Sequence, residues 1–312
     1  MKTLHNFWFA TVVPALIGFG FAVLSIRYFE QYGWSLFLGL PVLVCFLSAF
    51  CTSFRRSIPF SQAYWTSVTS LLILGGFILV FAIDGLICLI MALPLALMLA
   101  VPGAALGRAV GKACMRGIDP VVPLLLIWIF PGLIAFEARE VPVPQVRSVT
   151  SSVIVNAPAG RVWDIVVAFP QISEPPGGIF QLGVAYPVEA RIEGQGVGAI
   201  RYCTFSTGSF VEPITDWERP KLLAFNVTAN PEPMKEFSFY KKVHAPHLHG
   251  YMVSRRGQFR LIERDGHVVL EGTTWYTHSL YPLWYWGLIS DGIIHRIHGR
   301  VLNHIKRIAE AT

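Results

Sequence analysis

The chain has 312 residues, of which 54% are hydrophobic and only 14% are charged, and its formal net charge is +6. Soluble domains carry about 25% charged residues, so the composition excludes an ordinary soluble protein throughout and indicates membrane segments. The small positive balance is too weak to indicate a nucleic-acid partner. The five cysteines form no disulfide framework and leave the cellular compartment open.

The charges are concentrated in the second part of the chain. Residues 1–136 hold seven Lys/Arg and three Asp/Glu, whereas residues 137–312 hold 18 and 16. The first part is therefore nearly free of charge. The second part, with roughly 175 residues, is long enough to bury a hydrophobic core of its own.

Apolar segments in the first part are long enough to cross a bilayer, which takes about 20 residues. We predict spans at 7–26, 34–51, 66–83 and 85–106, the last two joined by a turn at "IDGL". A fifth segment, 120–136, is shorter and carries three prolines; it either crosses or only enters the membrane. Asp84 in the turn is either a functional intramembrane carboxylate or, the interpretation we favour, a residue at the water interface.

The Lys/Arg residues of the short loops predict the orientation of these spans. With five spans, six basic residues fall on the N-terminal side and three on the other. This distribution places the N-terminus in the cytoplasm. The chain is thus predicted to be an integral membrane protein. With five spans its C-terminal domain lies outside the cytoplasm, which is the slightly favoured prediction. With four spans the domain lies in the cytoplasm.

A polar, proline-punctuated linker, 137–147, separates the membrane region from a domain predicted at 148–312. The domain opens with a strand in "SVTSSVIVN" and a helix in "NAPAGRVWDIVVAF", with Asn156 as its cap and Pro158 in its first turn. Five strand-like runs follow: "GAIRYCTFS", "SFVEPITDWE", "KLLAFNVTA", "GQFRLIERDG" and "HVVLEGTTWYTHS". A long helix, 290–309, closes the chain. This order predicts an α+β domain with helices on one face of a curved sheet.

The segments "VIVNAPAGRVWDIVVAFPQISE" and "GVGAIRYCTFSTGSFVEPITDWERPKLLAFNV", with the hairpin and long helix after them, resemble the START-like (SRPBCC) superfamily. The resemblance covers about residues 148–312. It implies a helix-grip fold with a deep apolar cavity between the sheet and the last helix, which in relatives holds a lipid, sterol, polyketide or similar molecule. It implies no catalytic residue. The predicted fold class is an α-helical transmembrane bundle of four to five spans followed by an α+β helix-grip domain.

Two loop motifs invite a chemical interpretation. "EGQGVG" (193–198) is spaced like a phosphate loop, but a strand follows it instead of a helix, so we favour a hairpin turn. "HAPHLHG" holds His244, His247 and His249, which either bind zinc or, as we favour, form a solvated basic loop.

In the last helix, Asp291, His295 and His298 share one stripe, while His304 points elsewhere. The stripe is either a metal or proton-transfer site, or a set of unrelated residues in which Asp291 starts the helix and His295 is solvated. We favour the second interpretation. His298 is then the histidine expected to face the cavity.

No nucleophile signature is present, and we predict no catalytic residue, metal or cofactor. The strand pattern and the aromatic entrance to the last helix, "LYPLWYWGLI", give seven candidate ligand-binding residues. They are Trp163, Arg201, Glu212, Trp217, Trp275, Trp284 and His298. The aromatic entrance is too short for another span, and is expected to form a collar at a bilayer interface or at the cavity mouth.

Three functions remain open. The favoured one is binding or transfer of a lipid or other hydrophobic small molecule by a membrane-anchored domain, a binding protein more than an enzyme. The second is a cyclase/dehydratase or hydrolase that uses Arg201, Glu212 or His298 for acid–base chemistry. The third is a structural or assembly role, in which the domain docks a protein partner.

Overall fold

A computed structural model describes residues 2–54, 56–117, 119, 121–139, 145–236, 246–248 and 250–311. The chain divides into two compact units. The first comprises Met1–Pro142, Glu236–Pro246 and Leu280–Pro282. The second comprises Val143–Lys235, His247–Ser279 and Leu283–Thr312.

The first unit is helical. Its helices, in the part of the chain that the structure describes, are α1 Lys2–Val23, α2 Leu40–Ser53, α3 Phe60–Val80, α4 Leu86–Ala113 and α5 Val121–Glu137. Short π-helical segments continue α1 to Tyr28 and precede α2 from Ser35. Four stretches of the described residues are long and apolar enough to cross a membrane: Phe7–Tyr28, Ser35–Ser53, Phe60–Val80 and Leu86–Arg116.

The helix ends differ from the predicted span ends. Helix α3 begins six residues before the predicted start at 66, and α4 continues seven residues beyond 106. Hydropathy marks the apolar stretch, whereas a helix continues through polar residues as long as its backbone hydrogen bonds are made. The fifth segment also forms a helix, but at 17 residues α5 lies at the lower limit of a span. It begins at Val121, one residue after the predicted start of the fifth segment, and ends at Glu137, the first residue of the predicted linker.

Small residues let α2 and α4 pack closely. Gly103, Gly107 and Gly111 recur every four residues on one face of α4 and are buried. A Cβ atom at Gly107 would lie 2.2 Å from the carbonyl oxygen of Phe46, so the two backbones approach within a distance that only glycine permits. Such a small-residue stripe drives helix association in lipid, where hydrophobic burial gives no advantage.

The second unit contains a seven-stranded antiparallel sheet in the order β1-β7-β6-β5-β4-β3-β2. The strands are β1 Val146–Val155, β2 Pro187–Glu193, β3 Ile200–Phe205, β4 Gly208–Glu218, β5 Leu222–Asn226, β6 Met252–Arg264 and β7 His267–His278. Helix α6 (Ala159–Val167) follows β1, and the long helix α7 (Leu283–Glu310) follows β7. A long C-terminal helix against a curved antiparallel sheet fits the predicted helix-grip fold.

Glycines make the hairpin between β2 and β3 possible. Strand β2 pairs with β3 from Glu193↔Ile200 onward, so "EGQGVG" is a hairpin turn, as predicted. Gly194, Gly196 and Gly198 have φ angles of 89°, 82° and 90°, a region that side chains disfavour. Strand β2 itself was not predicted, because "PVEARIE" is short and starts with proline.

Three predictions about helix ends are wrong. Helix α7 begins at Leu283, seven residues earlier than predicted, because the aromatic entrance is helical directly after Pro282. Asp291 therefore lies inside α7 and does not start it. Asn156 does not cap α6: Pro158 is the N-cap residue, and the Asn156 N–H donates to Glu310 Oε1 at 2.7 Å.

The core of the second unit lies between the sheet and its two helices. Helix α6 buries Val162, Trp163 and Val166, and α7 buries Val301, Leu302 and Ile305. These side chains pack against strand residues such as Leu223 and Leu270. Strand β1 starts at Val146, two residues before the predicted domain start.

Candidate functional site

The sheet and α7 of the second unit, together with the segment 230–234, line a partly open cavity of about 140 Å³. Its walls are mainly apolar. The strands contribute four phenylalanines and the helix contributes a row of aliphatic side chains: Phe205, Phe210, Phe225, Phe259, Ile293, Ile294, Ile297, Val301 and Leu302. This pattern of apolar walls with few polar groups is typical of a small-molecule site.

The buried charges of this lining form one ion pair, and the exposed Glu232 and Arg256 also line the cavity. Arg201 on β3 and Glu212 on β4 are direct cross-strand partners, 1% and 5% exposed. Arg201 Nη1 donates to Glu212 Oε2, and Arg201 Nε donates to the carbonyl oxygen of Val167 at 3.1 Å. The rings of Phe169, Phe225 and Phe259 surround the guanidinium with centroids 5.5–5.7 Å from Cζ. These rings stabilise the positive charge in an apolar setting.

One donor of this guanidinium is not used. Arg201 Nη2 is buried and has no hydrogen-bond partner among the described residues, although the guanidinium also interacts with the thiol of Cys203, which is a weak acceptor. A buried donor without an acceptor costs about 1–3 kcal/mol, and native proteins rarely keep one without a reason. Because Arg201 lines the cavity, an oxygen atom held there would be within reach of this donor.

Glu212 has an unusual environment for a carboxyl group. Burial raises its pKa above the ordinary value, and the neighbouring Arg201 opposes this rise. A buried carboxyl with a raised pKa in a cavity is a candidate for proton transfer as well as for ligand binding.

His298 connects α7 to two strands at the cavity wall. Its Nε2 lies 2.8 Å from Thr274 Oγ1 on β7, and its Nδ1 lies 3.1 Å from Ser151 Oγ on β1. Ser151 Oγ also lies 2.8 Å from Nδ1 of the exposed His295. Burial, with a smaller contribution from His295, lowers the pKa of His298 to about 4. His298 is therefore neutral near pH 7, with each ring nitrogen engaged by a hydroxyl group.

We expect the stability of the second unit to decrease as the pH falls from about 7 to about 4. An unfolded histidine binds a proton near pH 6.5, whereas folded His298 does so only near pH 4, so the unfolded state binds more protons between these values. The loss amounts to about 3 kcal/mol for this residue. Hydrogen exchange at a series of pH values measures it. The free energy of unfolding should depend less steeply on pH in His298→Gln. An unchanged dependence would contradict the assignment of this effect to His298.

Of the predicted stripe, His295 and His298 share Ser151 Oγ, whereas Asp291 has other partners. Asp291 Oδ2 accepts from Arg147 at 2.6 Å, and Asp291 Oδ1 accepts from the hydroxyl of the buried Tyr276 at 2.6 Å. Hydrogen bonds to Arg147 and Tyr276 outweigh burial and lower the pKa of Asp291. The described residues contain no group of three His, Cys, Asp or Glu side chains that could hold a metal.

Two further predictions from the sequence concern His304 and the histidines of the "HAPHLHG" loop. His304 is buried, and its Nε2 lies 3.0 Å from the carbonyl oxygen of Pro170, away from the stripe as predicted. His244 and His249 of the "HAPHLHG" loop lie outside the described residues, and so does the side chain of His247.

The structure brings together three of the seven predicted ligand-binding residues: Arg201, Glu212 and His298 line the cavity. The tryptophans lie elsewhere. Trp163 and Trp217 pack edge to face in the core with ring centroids 5.5 Å apart. Trp275 stacks with Arg256, and Trp284 is 55% exposed in the first turn of α7. Trp284 is not among the residues that line this cavity, and the collar at a bilayer interface or cavity mouth stays a prediction. A role in ligand binding stays a prediction for all seven residues, of which three line the cavity.

Sequence reasoning missed the phenylalanines and Thr274. Their positions were available from strand alternation: Phe205 lies on the same face of β3 as Arg201, and Phe210 lies on the same face of β4 as Glu212. The phenylalanines beside Arg201 and Glu212 could have identified the strand face that points into the cavity. No sequence pattern indicates Thr274, because its contact with His298 forms only when α7 packs against the sheet.

No family model and no curated protein matches the chain. Solved structures similar to it include truncated norcoclaurine synthase from Thalictrum flavum, with 12% identity, a TM-score of 0.36 and coverage of 55% of this chain and 99% of that one. The Zhui aromatase/cyclase from Streptomyces sp. R1128 has 17% identity and a TM-score of 0.34, covering 53% and 94%. The di-domain ARO/CYC BexL from the BE-7585A biosynthetic pathway has 11% identity and a TM-score of 0.36, covering 66% and 63%. At these scores the likenesses assign neither a ligand nor an activity, and the helix-grip fold rests on the strand order.

Proposed function

We propose that the second unit binds a small hydrophobic molecule with one polar end, and that the helices of the first unit anchor the protein in a membrane. The unused donor of Arg201 in a mainly apolar cavity carries the proposal. The four long apolar helices support the anchor. Lipids and other hydrophobic compounds are the ligand class predicted from the sequence.

The charges around the cavity limit which functional group the polar end of the ligand can carry. The charged side chains that line the cavity are two acids and two arginines, which together carry no net charge, so a ligand carboxylate would add an unpaired charge to the site. A carbonyl or hydroxyl oxygen accepts from Nη2 without this cost. The volume of about 140 Å³ is close to that of an engineered cavity, about 150 Å³, that binds benzene. A single ring or a short chain therefore fits.

Filling the cavity tests the proposal. Molecules extracted from purified full-length protein are identified by mass spectrometry and compared with those from Ile297→Phe, which puts a ring at the cavity wall. Leu288→Phe, at a position 68% exposed on the same helix, is the matched control. We expect a hydrophobic compound to be retained by the original protein and the control, and to be reduced at least tenfold in Ile297→Phe. No retained compound, or equal amounts in all three proteins, would contradict the proposal.

An enzyme acting on a hydrophobic substrate is the second candidate, and the raised pKa of Glu212 favours it. A buried carboxyl of this kind can supply the proton in a cyclase- or dehydratase-type step. Once a bound compound is known, Glu212→Gln distinguishes the two functions. Retained binding with loss of turnover supports the enzyme, whereas absence of turnover in the original protein supports a binding protein.

The side of the membrane on which the second unit lies depends on α5. Five crossings place the second unit opposite the N-terminus, as the sequence slightly favoured, and four crossings place both on the same side. A topology reporter fused to the C-terminus measures this directly. Periplasmic or extracellular activity of the reporter supports five spans, and cytoplasmic activity supports four.

A further inference from the structure

The first unit contains a larger cavity of its own, which we name the α3–α4 groove. It has a volume of about 380 Å³. Helices α3 and α4 form its sides, and Ile26, Phe37 and Leu40 contribute from the segments around α1 and α2. Leu72 and Ile90 line the groove and are about half exposed, at 57% and 47%, so the groove opens on the outer surface of the helices.

The α3–α4 groove has one ionisable carboxyl group. Asp84, in the turn between α3 and α4, is the single acidic or basic side chain among the described residues that line it. Asp84 was expected at the water interface; it does lie in the predicted turn, but it is only 4% exposed. Its Oδ1 accepts from the Gly85 N–H at 2.7 Å, and the Cys88 thiol is a further hydrogen-bond partner.

A carboxyl group at the end of an apolar groove favours a ligand that donates hydrogen bonds. A carboxylate has about four acceptor sites, so Asp84 can accept from a ligand in addition to its protein donors. Burial of a carboxylate is costly unless donors or cations surround it, and each further donor reduces this cost. A ligand carboxylate would instead bring a like charge to the same place.

The dimensions of the groove match one membrane leaflet. Its lining runs from Leu86 to Ala96 along α4. At about 1.5 Å per residue this stretch is roughly 15 Å long, half of the ~30 Å hydrocarbon core of a bilayer. Asp84 precedes α4, so the carboxyl group lies at one end of the groove and the apolar length extends away from it. This is the arrangement that a chain with a polar head occupies in a leaflet.

Two adjacent glycines keep the groove open. Gly75 and Gly76 line it, and a Cβ atom at either position would have no atom within 4 Å. Larger side chains therefore fit there without disturbing the backbone, and would occupy the space of a ligand chain. The groove depends on the absence of side chains at these two positions.

We propose that the α3–α4 groove binds the chain of a single-chain amphiphile whose hydroxyl or amine head donates a hydrogen bond to Asp84. This inference rests on the proposed membrane anchoring, and it defines a second site, separate from the cavity of the second unit. Apolar contacts along α3 and α4 hold the ligand chain, and the hydrogen bond to Asp84 selects its head group.

Photolabelling of full-length protein in phosphatidylcholine nanodiscs tests the inference. Three diazirine probes share one C16 chain and end in an alcohol, a primary amine or a carboxylic acid. We expect the alcohol and the amine to label peptides of α3 and α4 at least fivefold more than the acid does. In Gly75→Leu/Gly76→Leu this labelling should fall at least fivefold. In Asp84→Asn, which keeps an acceptor for the Gly85 N–H, the preference over the acid should disappear.

Gly20→Leu is the matched control, because Gly20 also has no atom within 4 Å of a built Cβ and does not line the groove. Its labelling should equal that of the original protein. Equal labelling by all three probes, or no effect of the paired leucines, would overturn the inference and show only contact with bulk lipid. Sodium carbonate extraction of native membranes tests the anchoring separately. Protein that is released by carbonate contradicts the proposed anchor, whatever the labelling shows.

Discussion

Arg201→Met is expected to destabilise the second unit by about 3–5 kcal/mol, the usual cost of removing one partner from a buried ion pair. Methionine is apolar and of similar length, so the change removes the charge with little loss of volume. Glu212 would then be left buried without its cation. Hydrogen–deuterium exchange of β3 and β4 in the full-length protein measures the free energy of opening.

The double variant Arg201→Met/Glu212→Met is the matched control. Replacing both partners by apolar residues removes the uncompensated charge, so most of the lost stability should return. Binding of the proposed cavity ligand should be lost in both variants, because neither has the Nη2 donor. If Arg201→Met were as stable as the original protein, Arg201 would not be needed to compensate the buried charge of Glu212, which would contradict the prediction.

Trp163→Ala is expected to cost about 3–5 kcal/mol, as large-to-small changes of aromatic core residues do. Trp163 is 1% exposed and packs against Trp217, so removal of the indole leaves a space in the core between α6 and the sheet. Because Trp163 does not line the cavity, the folded protein should still retain the proposed ligand. Exchange rates of α6 and ligand content per folded molecule are the two measurements.

Trp284→Ala is the comparison for this change. Trp284 is 55% exposed, and its removal should change the stability of the second unit by less than about 0.5 kcal/mol. If Trp163→Ala instead lost its ligand while remaining stable, the sequence-based prediction of Trp163 as a binding residue would be right and its placement in the core would not explain its role.

Local patterns were sufficient for the elements whose signal lies in consecutive residues. The apolar runs predicted four long helices, and the alternation of "GAIRYCTFS" and "SFVEPITDWE" predicted β3 and β4. The turn at "EGQGVG" followed from its glycines and the strand after it. The start of α7 was wrong by seven residues, because "LWYWGLI" gives a strong aromatic signal and no helical cap.

For the site, the sequence alone determined which residues share a strand face and that Arg201, Glu212 and His298 were available to a cavity. It could not determine which face points inward, because alternation has a period of two on either side of a sheet. Only the tertiary structure decided this, by pairing Arg201 with Glu212 across two strands and by placing α7 over the phenylalanines. It also placed Trp163 and Trp217 in the core and left the cavity to smaller side chains. Those contacts join residues far apart in the chain, and their free energy depends on packing that no local pattern contains.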